Sequence, residues 1–371
     1  MLKIHRPKQL WVFTEHRNAT FIINFMLPQQ AAALELDLHL ESWSSEEVSN
    51  IGLEAMTAVL RSKANGALPE AAIFSRFVRP HGQALMALCQ SLGIATFFHL
   101  DDLLQQLPAD IGPKYAATYS EAYMAELHQC ILVSDGVLAS TPVLAADLQA
   151  RYPHHHVKAI LGVCYAPVPS WTVPGVRSRL ARLKRRLTTI GTQTLGYMGS
   201  SSHIRDLATA TPQIAELMRQ RPNLKFETLG LPAPDALQNE FGDRVRQYGY
   251  SRNYAGFLTM LYELNWDLGL APLVQDDFNR AKTATKFVEY TACGIPTLAE
   301  DVEPYAHIGR EHDAIALATG GAWTQVAAEL LSNPSRRHQR LEHARALCQS
   351  TFDGSAAIEH MLATIEQLTE K

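Results

Sequence analysis

The feature that most constrains this sequence is a repeated alternation of short apolar runs with longer amphipathic stretches. In the first half, the apolar runs are QLWVFTE, ATFIINFM, ALPEAAIFSR, IATFFHL, GVLAST and HVKAILGV. Helical periodicity fills residues 83–91 and 122–133 between the later runs. Apolar strands separated by helices are typical of parallel sheets that are covered on both faces. The alternation predicts a doubly wound α/β domain, and for the earliest runs it also allows an initial hairpin.

A second series of the same kind follows a proline-rich break. Pro167, Pro169 and Pro174 lie close together, and a basic segment follows at residues 177–186. Because proline fixes φ and has no amide donor, we expect a linker at this break. The later strand-like runs are TLGYMG, LKFETLG, RVRQYGY, WDLGLAPL, IPTLAE and DAIALAT. Helical patterns again separate them, which predicts a second α/β domain.

The two series divide the chain into two Rossmann-like domains. We predict an N-terminal domain over residues 1–168, a linker over 169–187 and a C-terminal domain over 188–371. Residues 323–371 are typical of successive helices that close the second domain. Two open α/β domains leave a cleft between them, and ligands bind such sheets at the carboxyl ends of the strands.

Composition excludes several classes of protein. The chain has 371 residues and a formal net charge of −4, which argues against a nucleic-acid partner because such proteins carry clustered surplus cations. The five cysteines form no C-x-x-C pair, so neither a zinc ribbon nor a dithiol motif is supported, and reduced thiols indicate a cytoplasmic protein. No run reaches the ~20 apolar residues that span a bilayer.

One run of the sequence, RSRLARLKRRL at residues 177–187, is strongly basic. Its cations suit an anionic lipid surface or a lipid-phosphate acceptor at the inner face of the membrane. A solvated linker helix is the interpretation that the sequence favours, because runs of charge usually stay in water. Peripheral membrane contact therefore stays open.

The first candidate site is the segment LGYMGSSSHIRDL, in which an apolar run ends at Met198. Gly199 lets the backbone approach a ligand closely, and free amides and the hydroxyl of Ser200 suit phosphate oxygens. We expect the next helix to begin late, with Thr211 as its N-cap and Pro212 as its first residue. A plain turn rich in small polar residues is the alternative interpretation.

The second candidate site is the segment WDLGLAPLVQDDFNRAKTATKFVEYTACGIPTLAEDVEPY. A strand and a polar loop precede a helix predicted over residues 283–293, which Gly294 ends in the left-handed conformation. Lys282, Lys286 and Glu289 then share one face. Two cations at the start of a helix oppose its dipole, and a bound anion relieves that conflict, so the spacing indicates a phosphate site. A solvated Lys–Glu face is the alternative.

This second segment resembles the C-terminal signature of the GT-B glycosyltransferases of family four, the retaining group. The matching positions are residues 268–273, Phe278, Asn279, Lys282, Lys286, Phe287, Glu289, Tyr290, Ala292, Gly294, Ile295, Pro296, Asp301, Pro304 and Tyr305. Weaker similarity extends over residues 73–352 and includes FFHLDDLL, SDGVLASTPVLAADL and GYMGSSSHIRDL. The resemblance implies two Rossmann-like domains that face each other across a cleft.

The resemblance also implies a reaction. A hexosyl- or deoxyhexosyltransferase would move sugar from a nucleotide diphosphate sugar to a glycan or lipid-linked acceptor, with retention, in polysaccharide or glycoconjugate synthesis. Catalytic roles fall on Lys282, Lys286, Asp101 and Asp102, and donor-binding roles on Gly199, Ser200, Asn279, Arg280, Glu289 and Tyr290.

Two positions depart from the family pattern. Many members have a Glu-x7-Glu pair that ends at the position of Glu289, and Ala281 stands where the first Glu is expected. We interpret this as a subgroup of the enzymes, and a catalytically weak module that binds nucleotide-sugar or docks a partner enzyme is the alternative. His99 replaces the first acid of a D-x-D-D segment, of which Asp101 and Asp102 remain.

The sequence contains no D-x-D segment that could bind a metal ion. The adjacent pairs are Asp101 with Asp102, and Asp276 with Asp277. A turn or a loop salt bridge with Arg280 accounts equally well for the second pair. Because the proposed lysines would neutralise the donor diphosphate themselves, we expect no metal and no other cofactor.

Overall fold

The computed structural model describes residues 8–165, 175–249, 251 and 253–370, and two six-stranded parallel sheets organise them. The N-terminal sheet has the order β2-β1-β3-β4-β5-β6 and contains β1 (Lys8–Thr14), β2 (Leu38–Ser44), β3 (Ala71–Ser75), β4 (Thr96–Leu100), β5 (Gly136–Ala139) and β6 (Val157–Ala159). The C-terminal sheet has the order β12-β11-β10-β7-β8-β9 and contains β7 (Gln193–Met198), β8 (Leu224–Leu229), β9 (Val245–Tyr248), β10 (Leu268–Ala271), β11 (Thr297–Ala299) and β12 (Ala316–Leu317).

Helices connect the strands of both sheets. In the N-terminal half they are α1 (Ala19–Phe21), α2 (Leu27–Leu36), α3 (Ser45–Ile51), α4 (Leu53–Gly66), α5 (Gly82–Ser91), α6 (Pro113–Thr118), α7 (Glu121–Val133) and α8 (Pro142–Arg151). The rest of the chain has α9 (Val176–Thr188), α10 (Ile204–Gln220), α11 (Asp235–Phe241), α12 (Tyr254–Leu264), α13 (Asp277–Arg280), α14 (Thr285–Ala292), α15 (Ala306–His312), α16 (Trp323–Ser332), α17 (Pro334–Thr351) and α18 (Gly354–Thr369). The doubly wound fold class predicted from the sequence is confirmed.

Two expectations about the first strands are wrong. The run ATFIINFM is helical, since Asn18 accepts the amide of Phe21 as an N-cap and a π-helical turn, Ile22–Met26, joins α1 to α2. The initial hairpin does not form, because β1 and β2 pair in parallel. The strand β2 had no counterpart among the predicted runs, because as an edge strand it keeps polar residues at several positions.

The last helix, α18, returns to the N-terminal domain. Its buried residues Ile358, Met361 and Ile365 share one apolar cluster with Val12 and Phe25. The sequence placed this helix in the C-terminal domain, and its apolar face packs on the N-terminal sheet. The domain limits themselves stay a prediction, and the three prolines of the linker lie outside the described residues.

Two global properties of the described residues complete the fold. None of their helices is long and apolar enough to cross a membrane. All five cysteines are buried, and none of them forms a disulfide with another described residue. Burial raises the pKa of each thiol, so these side chains pack as small apolar groups.

Candidate active site

A cavity of about 700 Å³ lies between the two domains. Its walls come from the carboxyl ends of strands in both sheets, where open α/β sheets bind ligands. Asp101 and Asp102 follow β4 on the N-terminal side, and Gly199 follows β7 on the C-terminal side. The start of α14 adds Lys286 to the same cavity. The structure thus brings together segments that are nearly two hundred residues apart in the sequence.

The two predicted lysines stand side by side in the C-terminal wall. Lys282 lies in the loop before α14, with its ammonium 4.6 Å from the centre of the Phe278 ring. Lys286 is the second residue of α14, and its ammonium is 5.5 Å from the centre of the Tyr197 ring. The predicted helix is shorter than expected, and the left-handed φ of Gly294 after its end is confirmed.

Neither lysine is neutralised by a carboxylate within salt-bridge distance among the described residues. The nearby Asp102 pairs with Arg76, and Asp206 pairs with His203. Burial lowers the pKa of Lys282, and burial together with the charge of Lys282 lowers the pKa of Lys286 to about 8. Two desolvated, mutually repelling ammonium groups make this wall a site for an anion.

Glu289 lies one turn after Lys286 and is also buried. Lys286 and Glu289 are only 8% and 7% exposed, so the interpretation of these residues as a solvated Lys–Glu face is wrong. Burial raises the pKa of Glu289 to about 7, and a hydrogen bond from Tyr254 and the charge of Lys286 oppose that rise. A carboxylate with this pKa accepts hydrogen bonds from a ligand once the pH exceeds about 7.

A histidine that the sequence analysis did not single out completes this wall. His203 Nδ1 lies 2.9 Å from Asp206 Oδ2, and Lys286 Nζ lies 3.4 Å from the same nitrogen. Burial and the two lysines lower the pKa of His203 to about 3. Because the ionised carboxylate can only accept, Nδ1–H donates to Asp206 and Nε2 keeps its lone pair. His203 is thereby a neutral hydrogen-bond acceptor in the cavity.

Asp206 holds His203 in place through hydrogen bonds to several neighbouring groups. It is buried, and its Oδ1 accepts hydrogen bonds from Asn279 Nδ2 at 2.9 Å and from the Val274 amide at 3.1 Å. Although burial acts to raise it, the pKa of Asp206 is held well below its usual value by the hydrogen bond from His203 and by the neighbouring lysines. Asn279 was predicted to bind the donor, but it is not among the residues that line the cavity. Its hydrogen bond to Asp206 gives it a positioning role.

The loop after β7 differs in detail from the prediction. The Gly199 amide donates to the Leu229 carbonyl at 3.1 Å and so continues the sheet, which leaves it no hydrogen for a phosphate. The hydroxyls of Ser200 and Ser202 lie 2.8 Å apart at the cavity wall and can turn toward a ligand. The two hydroxyls are therefore hydrogen-bond donors that this loop can offer to a ligand.

The helix after this loop begins earlier than expected. α10 starts at Ile204, so Thr211 and Pro212 lie inside it, and the prediction of a late start is wrong. The Thr211 hydroxyl donates to the Leu207 carbonyl within the helix at 2.9 Å. The early start places His203 and Asp206 at the first turn, next to the cavity.

Arg76 organises the N-terminal wall. Its guanidinium bridges Asp101 and Asp102, with 2.5 Å between its Nη2 and Asp102 Oδ2, and its φ of 51° lies in the left-handed region. Asp101 also accepts from the Thr20 hydroxyl at 2.8 Å. Both predicted aspartates line the cavity, and their salt bridges to Arg76 leave the three side chains with one net negative charge. Arg76 ends the run ALPEAAIFSR, and its position after β3 was the only signal in the sequence.

His99 does not take the place of a catalytic acid. It is fully buried, with Nδ1 2.9 Å from the Ser75 hydroxyl and Nε2 3.1 Å from the Ser140 hydroxyl. Burial and the charge of Arg76 lower its pKa to about 3. A neutral ring that joins β3, β4 and β5 beneath the cavity is a structural element.

Two more predicted donor-binding residues lie outside the cavity lining. Arg280 is half-exposed and pairs with Asp277 at 3.1 Å. Tyr290 is buried, and its hydroxyl donates to the Leu270 carbonyl at 3.0 Å and accepts from the Met198 amide at 3.2 Å. Tyr290 therefore joins β7 to β10 at their carboxyl ends and positions the loop of Gly199.

The second aspartate pair is engaged in the protein itself. Asp276 caps α13 by accepting the Asn279 amide at 2.7 Å, and it pairs with Arg205. Asp277 pairs with Arg280. This is the turn with loop salt bridges that was one of the two interpretations of the pair. Residues 8–165, 175–249, 251 and 253–370 contain no cluster of three or more acids, histidines or cysteines suited to a metal ion.

Two Rossmann-like domains that face each other across a cleft at their strand ends form the GT-B fold. The UDP-forming α,α-trehalose-phosphate synthase of Burkholderia vietnamiensis is 11% identical, with a TM-score of 0.62 over 98% of each chain. HepE from Anabaena in complex with UDP is 12% identical, with a TM-score of 0.60 over 97% of this chain and 100% of its own.

A third solved structure is similar to the same extent. WaaG, a glycosyltransferase involved in lipopolysaccharide biosynthesis, is 13% identical, with a TM-score of 0.59 over 96% of this chain and 99% of its own. No family model matches the sequence, and none of the curated proteins is significantly similar to it. The likeness to solved glycosyltransferases is therefore one of fold.

Proposed function

We propose that this protein is a glycosyltransferase that moves a sugar from a nucleotide diphosphate sugar to an acceptor. One observation carries the proposal: the buried Lys286 and the half-buried Lys282, neither with a carboxylate partner among the described residues, stand beside the buried Glu289 in the cleft. Unpaired buried cations are costly and mark a site for an anionic ligand. A diphosphate flanked by a ribose matches two cations flanked by a carboxylate.

Five residues in or next to the C-terminal wall have roles in this reaction. Lys282 and Lys286 balance the charge that grows on the leaving diphosphate. Glu289 accepts hydrogen bonds from ribose hydroxyls. His203 presents an unprotonated Nε2, which suits a sugar hydroxyl, and Asp206 fixes its orientation. We propose retention of anomeric configuration, with the protein acting through positioning and charge stabilisation.

The N-terminal wall then receives the acceptor. Asp101 and Asp102 can accept hydrogen bonds from sugar hydroxyls, while Arg76 holds both carboxylates in place and offsets their repulsion of the donor phosphates. Placing the acceptor in the opposite domain lets closure of the cleft bring the reactants together and exclude water, which suppresses hydrolysis of the donor.

Solved structures of the same fold support this substrate class. HepE has been solved with UDP and with UDP and glucose, and the synthase of Burkholderia vietnamiensis is UDP-forming. WaaG is involved in lipopolysaccharide biosynthesis. We propose by analogy a hexosyl or deoxyhexosyl donor and a glycan or lipid-linked acceptor in surface polysaccharide or glycoconjugate synthesis.

A panel of nucleotide-sugars tests the proposal. We expect one donor to raise the melting temperature, because a ligand that binds only the native state stabilises it by mass action. The same donor is then incubated alone to measure slow hydrolysis. Binding with hydrolysis supports a transferase. Binding without hydrolysis or transfer supports a catalytically weak module that binds nucleotide-sugar, and the absence of any binding contradicts the transferase and supports a module that docks a partner enzyme.

A further inference from the structure

Helix α9 turns its apolar side chains toward solvent. Four aliphatic residues of the helix and one just after it are between 51% and 77% exposed. They are Val176, Leu180, Leu183 and Leu187, and then Ile190. Intervals of four and three place those within the helix on a single stripe about 60° wide at 3.6 residues per turn. Contiguous exposed apolar surface of this kind marks an interaction site.

Basic residues border the stripe on both sides. Arg177 and Lys184 lie along one edge and Arg179 and Arg186 along the other, as the helical repeat requires. None of the four forms a salt bridge with another described residue. The helix has no acidic residue along its length. The surface thus combines an apolar centre with two unneutralised cationic edges.

The protein itself fixes the orientation of this helix. Arg182 donates to the carbonyls of Tyr262 at 3.2 Å and Cys293 at 2.7 Å, at the ends of α12 and α14. Arg185 pairs with the buried Glu227 at 2.6 Å. These arginines lie on the face away from the stripe, so the exposure of the leucines is built into the packing of α9.

We propose that this face of α9 docks on an anionic lipid bilayer. Leucines enter the boundary of the acyl chains while the flanking arginines reach lipid phosphates, as in helices that lie in a membrane interface. A second copy of this chain would instead bring two cationic edges into contact, and the repulsion disfavours that pairing. The proposal does not depend on the transferase activity.

Vesicle flotation of the full chain tests the proposal. Vesicles of phosphatidylcholine alone are compared with vesicles in which about a third of the lipid is phosphatidylglycerol, a charge density that attracts basic segments. We expect flotation with the anionic vesicles only, and less of it as salt screens the cationic edges. Equal flotation with both vesicle types, or none with either, overturns the proposal.

Two sets of substitutions separate the apolar and cationic contributions. Replacing Arg177 and Lys184 by Gln is expected to weaken vesicle binding about 25-fold, since each cation near the surface contributes about fivefold. Replacing Leu180, Leu183 and Leu187 by Gln is expected to reduce it to the level of neutral vesicles. Both sets lie at exposed positions, so the melting temperature serves as the check on folding.

A matched control and an oligomer assay complete the design. Leu68→Gln removes an equally exposed leucine from the N-terminal domain and is expected to leave flotation unchanged. Loss of flotation in that variant as well would overturn the assignment to α9. Sedimentation velocity that shows a dimer, abolished by the triple leucine variant while vesicles never bind, would assign the stripe to contacts between copies and overturn the lipid proposal.

Discussion

Replacing Lys286 by Met is expected to stabilise the free protein and to weaken diphosphate binding. Burial and the charge of Lys282 lower the pKa of Lys286 to about 8, from the ordinary lysine value of 10.5. At about 1.4 kcal/mol per pH unit, this difference corresponds to a folding cost of about 3 kcal/mol for the protonated lysine. Methionine has a similar length and carries no charge, so it removes that cost.

The pH dependence of the gain follows from the direction of the shift. Because the folded pKa lies below the unfolded one, the cost is complete below pH 8 and is relieved as the pH rises toward 10.5. Chemical denaturation at pH 7 is expected to show the stabilisation, and the same measurement near pH 10 is expected to show little of it.

Ligand binding is expected to change in the opposite direction. Loss of a charge-assisted contact with the diphosphate costs about 2 kcal/mol, or a roughly thirtyfold higher Kd. The nucleoside without phosphates is expected to bind as before. Calorimetry with both ligands measures the contrast, and Lys158→Met, at an exposed lysine on β6, is the control. A variant that is destabilised at pH 7 and binds the diphosphate normally would refute the reasoning.

Three further predictions concern the same wall. Glu289→Gln is expected to weaken nucleoside binding by ~1.5–3 kcal/mol, because an amide offers one acceptor atom where a carboxylate offers two; unchanged calorimetry would exclude the ribose contact. Affinity of the wild type for the nucleoside diphosphate is expected to peak between pH 7 and 8, where Glu289 has lost its proton and Lys286 keeps its own; a flat profile would count against both roles. Initial rates of sugar transfer are expected to survive excess chelator after dialysis, whereas a collapse that magnesium or manganese reverses would move the phosphate chemistry to the paired aspartates.

The strands were predictable because parallel sheets bury both faces and so leave continuous apolar runs. The run ATFIINFM misled for the same reason, since a short run with six apolar residues in eight looks alike in a strand and in a buried helix. What decided its structure was Asn18, which caps the helix, and the packing of Phe21 and Phe25 beneath the N-terminal sheet.

The candidate site was predictable where its residues share one element. Lys286 and Glu289 follow from helical spacing. The hydrogen bond from Asn279 to Asp206 joins residues 73 positions apart, and no local pattern indicates it. Arg76 meets Asp101 only because β3 and β4 are neighbours in the sheet. Contacts of this kind arise only in the tertiary structure. For that reason the predicted site residues included Asn279, which supports the cavity, and omitted Arg76, which lines it.

A crystal structure of the protein with a nucleoside diphosphate tests the assignment of the two lysines to the diphosphate. The nucleotide used is the one that gives the largest thermal shift. We expect diphosphate oxygens within hydrogen-bond distance of Lys282 and Lys286, with ribose hydroxyls donating to Glu289. A nucleotide bound outside the cleft, or one whose diphosphate points away from both lysines toward Asp101 and Asp102, would contradict it.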